Sequence, residues 1–305
     1  MKSYKYLAIA AAATVFAACS NDENGVNEPT PIRLSSSLTV VKTRAATDIQ
    51  TTAFLENEKV DVFISEDGTD GTTTSNPYAQ PLVYTTGTNG ALTTAEQQYF
   101  PTGGKSVNIH AVYPSGKVSA FDETPVDFTV EEDQSTEDNY KASDLMYGAP
   151  KSNPVSPTYD AVVLTFKHLL SKVTVTLKAG NGNPSLDGAK VELLNVYPTV
   201  KFTPSTQALG TAEGTATDIT VMTTTGSSLS GSAVIVPQTL GQQFIRVTLS
   251  DGKVLTGQLD NNTAPALTAG YEYKYDITAH LSTLTISSTI EPWNDGGTED
   301  GTATM

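Results

Sequence analysis

Hydrophobic and polar residues alternate in short runs along most of the chain. In the clearest run, residues 271–277, aromatic or aliphatic side chains at the odd positions alternate with charged side chains at the even positions. This period of two predicts a strand with one buried face and one solvated face. Comparable runs, separated by glycine, proline, asparagine and aspartate, cover residues 60–64, 107–112, 162–166, 173–177, 233–236 and 244–249. Many short strands with such turn residues between them predict an all-β protein of the sandwich type.

A proline-rich segment separates two groups of these runs. Residues 149–158 contain three prolines and no apolar periodicity, as is typical of a connection between domains. The pieces on either side are each long enough for a sandwich of about seven strands. We therefore predict an N-terminal β-sandwich over residues 45–155 and a C-terminal β-sandwich over residues 156–305. The acidic segment at 131–138, just before this boundary, is interpreted as a solvated loop.

The N-terminus has the pattern of an export signal. Lys2 and Lys5 precede an apolar run at residues 7–18, which is shorter than the about 20 residues that span a bilayer. The run ends in small residues and Cys19, an arrangement similar to a bacterial lipobox, in which the cysteine is lipidated and becomes the new N-terminus. We predict a signal peptide over residues 1–18 and lipidation of Cys19, so that the lipid holds the precursor in the outer membrane. An ordinary signal peptide with an incidental cysteine is the alternative.

Composition and charge exclude several classes of function. The formal net charge is −15, so no basic surface is available for nucleic acid, and adsorption to anionic membranes is disfavoured. Cys19 is the only cysteine, which rules out an intrachain disulfide and a cysteine-based zinc site. The three histidines lie in or beside strand-like runs, and no two have the spacing of metal ligands. We therefore predict that the chain has no catalytic residues, no metal and no cofactor, and that it is not an enzyme.

Two segments, one near each end of the chain, share a pattern of side chains at every second residue. The pattern is aliphatic, aliphatic, serine, aliphatic, and it occurs in Ile32, Leu34, Ser36 and Leu38, with Val40 beyond, and again in Leu284, Ile286, Ser288 and Ile290. Since alternate residues of a strand share a face, the two segments would present the same profile to a groove. A chance match in a threonine-rich β protein is the alternative.

Arg44 follows the first of these segments and precedes a polar one. The other two arginines, Arg33 and Arg246, lie within strand-like runs, so an arginine-specific protease could best reach the bond between Arg44 and Ala45. Cleavage there would release residues 19–44 together with the lipid. Removing four or five buried aliphatic side chains costs roughly 6–15 kcal/mol, comparable with the whole stability of a domain, about 5–15 kcal/mol. A matching strand from another subunit is a natural replacement, and such head-to-tail contacts propagate into a polymer.

Together, these features resemble the Bacteroidales fimbrillin family, the subunits of protease-activated (type V) pili. The residues that carry the resemblance are spread over the chain: Cys19 with its acidic followers, the junction at 43–45, and the segments 110–114, 145–148, 166–173, 269–273 and 290–293. The resemblance implies two transthyretin-like Greek-key β-sandwich domains in tandem. It also implies lipoprotein export, removal of the first strand after Arg44, and polymerisation through a donor strand at about residues 281–293. Leu284, Ile286 and Ile290 would be the donor side chains.

Our leading hypothesis is therefore a structural subunit of a cell-surface fimbria that supports adhesion. Its expected partners are other fimbrial subunits, an arginine-specific protease, and a ligand on a host or bacterial surface. The precursor would lie in the outer membrane and the processed protein in the extracellular fimbria. Two alternatives stay open: an uncleaved, monomeric surface lipoprotein that binds glycan or host protein, and a subunit of the fimbrial tip or anchor.

Overall fold

The computed structural model describes residues 29–38, 54–67, 81–226, 228–259 and 263–293. These residues form one α-helix, α1 (Glu137–Ser143), one short 3-10 turn (Thr88–Gly90) and eighteen strands. The strands are β1 (Leu34–Leu38), β2 (Lys59–Glu66), β3 (Leu82–Thr86), β4 (Ala91–Thr93), β5 (Val107–Tyr113), β6 (Val126–Thr129), β7 (Met146–Pro150), β8 (Val162–His168), β9 (Ser171–Ala179), β10 (Lys190–Val196), β11 (Thr199–Thr203), β12 (Ala208–Leu209), β13 (Thr217–Thr223), β14 (Ser230–Ile235), β15 (Ile245–Thr248), β16 (Val254–Gly257), β17 (Tyr271–Ala279) and β18 (Leu284–Pro292). The predicted all-β class is confirmed. None of the described helices is long and apolar enough to cross a membrane.

Seven strands, β1 to β5 together with β7 and β8, close into a barrel. Their order is β1-β4-β3-β2-β5-β7-β8, and β1 completes the ring by pairing with β4 on one side and β8 on the other. Alternate residues of these strands point inward, as their period of two requires. Val60, Ile64, Ile109 and Phe166 are among the fully buried side chains that fill the interior. The barrel core is therefore built from strands on both sides of β1.

The second unit is a sandwich of two four-stranded sheets. One sheet has the order β13-β10-β15-β16 and the other β14-β9-β17-β18. Their inner faces meet in contacts such as that between the rings of Phe244 and Tyr275, whose centroids are 5.0 Å apart. Phe63 and Val112, on the outer face of barrel strands β2 and β5, belong to the same apolar cluster as the sandwich. The two units are thus packed against each other.

The proline-rich segment 149–158 does not lie between these two units. It connects β7 with β8, which pair antiparallel inside the barrel from Met146 opposite His168 to Pro150 opposite Leu164. The chain enters the sandwich only between His168 and the start of β9 at Ser171. The prolines therefore mark a connection between neighbouring strands, and β8, which the sequence assigned to residues 156–305, belongs with the barrel.

Part of the acidic segment at 131–138 is helical, which differs from the predicted solvated loop. The Thr136 hydroxyl caps α1 by accepting from the backbone N–H of Asn139, and Glu137 and Asp138 lie in the first turn, where the helix dipole favours negative charge. Tyr140 is buried against the core. The helix of seven residues is too short to display a 3.6-residue period, although the cap residue was visible in the sequence.

His110 is held neutral on the barrel strand β5. Its ring stacks on Phe121, with centroids 4.1 Å apart and an interplanar angle of 14°, and its Nδ1 lies 2.7 Å from the Tyr147 hydroxyl. Burial lowers the pKa of His110 to about 4 and raises that of Tyr147 to about 12. The fold therefore keeps the imidazole neutral down to about pH 4.

This arrangement makes the stability depend on pH. In the unfolded chain His110 regains its ordinary pKa of 6.5, so between about pH 6.5 and pH 4 the unfolded state binds a proton that the folded state does not. Stability should fall as the pH is lowered through this range, with His110 contributing about 2 kcal/mol of the loss near pH 5. We expect His110→Gln to lose less stability between neutral pH and pH 5 in urea titrations. Equal losses in the two proteins would contradict this assignment.

Candidate subunit-assembly site

The first strand, β1, lies in a channel between β4 and β8. It pairs in parallel with β8 from Leu34 opposite Val162 to Leu38 opposite Phe166, and antiparallel with β4. Just before it, the backbone N–H of Ile32 donates to the carbonyl of Gln98 at 2.8 Å. We call this channel the first-strand groove. Without β1, the groove would expose the backbone edges of β4 and β8.

The inward side chains of this segment fill the barrel core. Ile32, Leu34 and Leu38 are only 2%, 5% and 8% exposed, and they belong to the same cluster as Tyr84 and Phe166. Burying three aliphatic side chains contributes about 5–9 kcal/mol, which is on the scale of a whole domain's stability. Val40, the last position of the predicted profile, lies outside the described residues.

Ser36 occupies the third inward position and meets a backbone turn rather than a side chain. Its hydroxyl donates to the carbonyl oxygen of Gly90 at 3.1 Å. Gly90 ends the turn Thr88–Gly90 with a φ of 75°, in the left-handed region that favours glycine. A Cβ on Gly90 would collide with the Ser36 carbonyl oxygen. The groove therefore has one polar point between its apolar positions.

The outward side of β1 is bound more weakly. Arg33 is exposed and donates to the Tyr159 carbonyl at 3.3 Å, while the hydroxyls of Ser37 and Thr165 are 3.3 Å apart. Cys19, Arg44 and Ala45 lie outside the described residues, so lipidation and cleavage stay predictions. The described part of β1 ends at Leu38.

The segment predicted as the donor, residues 281–293, contains β18, which lies at one edge of a sandwich sheet. β18 pairs antiparallel with β17 along its whole length, from Leu284 opposite Ala279 to Pro292 opposite Tyr271. Ile286 is 3% exposed, and a Cβ added to Gly257 of β16 would lie 2.6 Å from its Cδ1. Its own domain thus buries Ile286 and partly buries Leu284.

The second half of that profile is not covered. Ser288 and Ile290 lie on the same face of β18 as Ile286 because they are two and four residues further on. Ser288 is exposed, and the Ile290 side chain is 41% exposed. Two of the four positions that match β1 are therefore exposed or only partly buried in their own domain.

Trp293, directly after β18, ties this strand to the barrel. Its ring stacks on His168 at the end of β8, with centroids 3.7 Å apart and an interplanar angle of 11°. The backbone N–H of Trp293 donates to the Gly270 carbonyl at 2.7 Å, and the backbone N–H of Gly270 donates to the Leu170 carbonyl at 2.8 Å. His168 also lies 2.8 Å from a carboxylate oxygen of Asp144. The sequence placed His168 only in or beside a strand-like run, since no local pattern links it to a residue as distant as Trp293.

Metal chemistry has no support in the part of the chain that the structure describes. No group of three or more histidine, cysteine, aspartate or glutamate side chains there is arranged to hold a metal ion.

Comparison with known proteins decides the family. Residues 43–293 match the family model described as Fimbrillin-like. The chain belongs to the fimbrillin-like family. The family resemblance predicted from the sequence is thus confirmed, and it covers most of the chain, including the barrel strands after β1, the whole sandwich and Trp293. No curated protein sequence matches this fimbrillin-like chain significantly.

Solved structures share its fold. A “putative cell adhesion protein” from Bacteroides ovatus superposes with a TM-score of 0.68 at 19% identity, covering 90% of this chain and 100% of that one. A second, from Bacteroides uniformis, has a TM-score of 0.66 at 22% identity and covers 88% and 100%. The tip fimbrial protein Mfa3 from Porphyromonas gingivalis, with a C-terminal truncation, has a TM-score of 0.52 at 10% identity and covers 87% and 100%. At these identities the fimbrillin-like chain shares the architecture of these proteins.

Truncating one inward side chain of β1 should weaken the barrel. We expect Leu34→Ala to lower the free energy of unfolding by about 2–5 kcal/mol, because it removes buried methyl groups and leaves a cavity. The neighbouring Arg33→Ala is the matched control, since Arg33 is exposed, and it should change stability by less than about 0.5 kcal/mol. Denaturant unfolding of the uncleaved protein measures both. A silent Leu34→Ala would mean that β1 is not needed to hold the barrel closed.

Proposed function

We propose that this chain is a structural subunit of a cell-surface fimbria that assembles by strand exchange. Loss of residues 19–44 empties the first-strand groove, and residues 281–293 of another copy fill it. The observation that supports this most is the place of β1: a segment at the start of the described chain completes the barrel and supplies Ile32, Leu34 and Leu38 to its core. Membership of the fimbrillin-like family supports the fimbrial role.

The route to the cell surface follows from the N-terminal sequence. The precursor is exported, lipidated at Cys19 and held in the outer membrane by its lipid until an arginine-specific protease cuts after Arg44. The partners are then other fimbrial subunits, and the assembled fimbria supports adhesion to a host or bacterial surface. We take the barrel and the sandwich as the two domains for which the family resemblance implies a transthyretin-like Greek-key fold. The role is structural rather than enzymatic.

One observation favours a second candidate, the uncleaved monomeric surface lipoprotein that binds glycan or host protein. β18 is fully paired with β17, Ile286 is buried in its own sandwich, and Trp293 is stacked on His168. A strand held in this way must leave its own sheet before it can enter a neighbour. A tip or anchor subunit, in which β18 stays in place, is compatible with the same contacts.

Processing at Arg44 distinguishes these candidates. After treatment with an arginine-specific protease, we expect the wild-type protein to begin at Ala45 and to form ladders that resist SDS on gentle heating. Arg44→Ala should remain a monomer because β1 stays in its groove. Arg33→Ala, which changes an exposed arginine next to β1, should be cut and polymerise like the wild type. Ladders from Arg44→Ala would show that cleavage at this bond is not the trigger.

Ile290 is the sharpest probe of the donor strand, because it is partly exposed in its own domain whereas Ile286 is buried. We expect Ile290→Asp to melt like the wild type but to stay monomeric on a sizing column after cleavage. Its carboxylate can reach water in the monomer, but in the groove it would be buried without a partner, at a cost of several kcal/mol. Thr289→Asp, on the opposite face of β18, should polymerise normally. Equal polymerisation of the two variants would exclude β18 as the donor.

A further inference from the structure

The serine shared by β1 and β18 has a defined partner in only one of the two places. In the first-strand groove the Ser36 hydroxyl donates to the Gly90 carbonyl. In β18, Ser288 lies opposite Tyr275 and is exposed. Its own sheet therefore does not bury this side chain, and a serine here is not explained by the packing of the sandwich.

The Gly90 turn approaches β1 more closely than a side chain would allow. The positive φ and the collision that a Cβ would have with the Ser36 carbonyl oxygen both require glycine. The Gly90 carbonyl thus faces the strand directly, and a short side chain with a hydroxyl satisfies it. On either side of this point, Leu34 and Leu38 enter apolar surroundings. The groove therefore fits a strand whose inward side chains are apolar at three positions and polar at the third of the four positions.

We propose that Gly90 is a specificity-determining residue of assembly, which selects an incoming strand that carries a serine opposite its carbonyl. Ser288 takes the place of Ser36, so that Leu284, Ile286 and Ile290 take the places of Ile32, Leu34 and Leu38. This inference rests on the proposed strand exchange. A shift of the strand by two residues would put an isoleucine against the Gly90 carbonyl and the serine into an apolar position. The Gly90 carbonyl and the serine hydroxyl would then both lose their hydrogen bond.

The register can be measured directly by cross-linking. Ser37 and Thr165 have their hydroxyls 3.3 Å apart, so in the proposed register Thr289 of the incoming strand lies beside Thr165 of the groove. The natural cysteine, Cys19, leaves with the segment removed by cleavage. We expect a mixture of cleaved Thr165→Cys and Thr289→Cys subunits to form an intersubunit disulfide. Ser287→Cys is the matched control and should not pair with Thr165→Cys. Pairing of Ser287→Cys instead would overturn the register.

The role of the hydroxyl is tested by three substitutions in β18. Ser288→Val should reduce the yield of polymer roughly five- to tenfold, the effect of losing one hydrogen bond. Ser288→Thr keeps the hydroxyl and should restore most of the assembly. Ser287→Val, on the outward face, is the control for β propensity and should assemble normally. All three should melt like the wild type before cleavage, because both serines are exposed, and this separates recognition from folding.

The outcomes separate this inference from the function on which it rests. If cleaved wild-type protein forms no polymer, strand exchange fails and the inference fails with it. If the wild type polymerises and Ser288→Val polymerises equally well, the Gly90 turn does not select the strand, although strand exchange stands. Reduced assembly of Ser288→Val, recovery in Ser288→Thr and cross-linking of Thr289→Cys to Thr165→Cys would together support the selection of serine by Gly90.

Discussion

The parallel pairing of β1 with β8 is the interaction on which the barrel depends. It joins residues near the start of the described chain to residues more than a hundred positions later, and it closes a ring that would otherwise have two free edges. Free strand edges beside apolar surface are sites of uncontrolled pairing with other chains. A barrel without β1 would have both, namely the edges of β4 and β8 and the pocket that Ile32, Leu34 and Leu38 now fill. An emptied groove would therefore favour pairing with another strand.

The alternation of side chains predicted which residues share a face, but not what covers that face. Residues 271–277 form part of β17, and Tyr273, Tyr275 and Ile277 are buried as the pattern requires. Glu272, however, lies on the face predicted to be solvated and is only 4% exposed. Its carboxylate accepts from Thr174 at 2.7 Å and lies 3.4 Å from the buried Lys172 ammonium. Neither partner is near it in sequence, so no local pattern could predict this burial.

Contacts between residues that are distant in sequence also explain the other differences from the sequence prediction. The inward positions of β1 were predicted from their period of two, because that period is a local property. The partner strand β8 was not, because parallel pairing depends on the path of the whole chain. The prolines at 149–158 signal a break in strand structure, which a connection within the barrel satisfies as well as a boundary between domains. The stack of Trp293 on His168 likewise joins the end of one unit to the other and leaves no trace in the sequence.

The direction of β1 relative to β8 has a mechanical consequence. Two strands that lie side by side and are pulled apart along their length must break their hydrogen bonds together, whereas strands peeled from one end break them one at a time. A strand in the first-strand groove lies side by side with β8. A pull along its length would load their hydrogen bonds together, in shear. Tension on such a strand passes into β8, which pairs with it and continues directly into β9 of the sandwich. The load would then be carried from the barrel to the sandwich by the short backbone connection between His168 and Ser171.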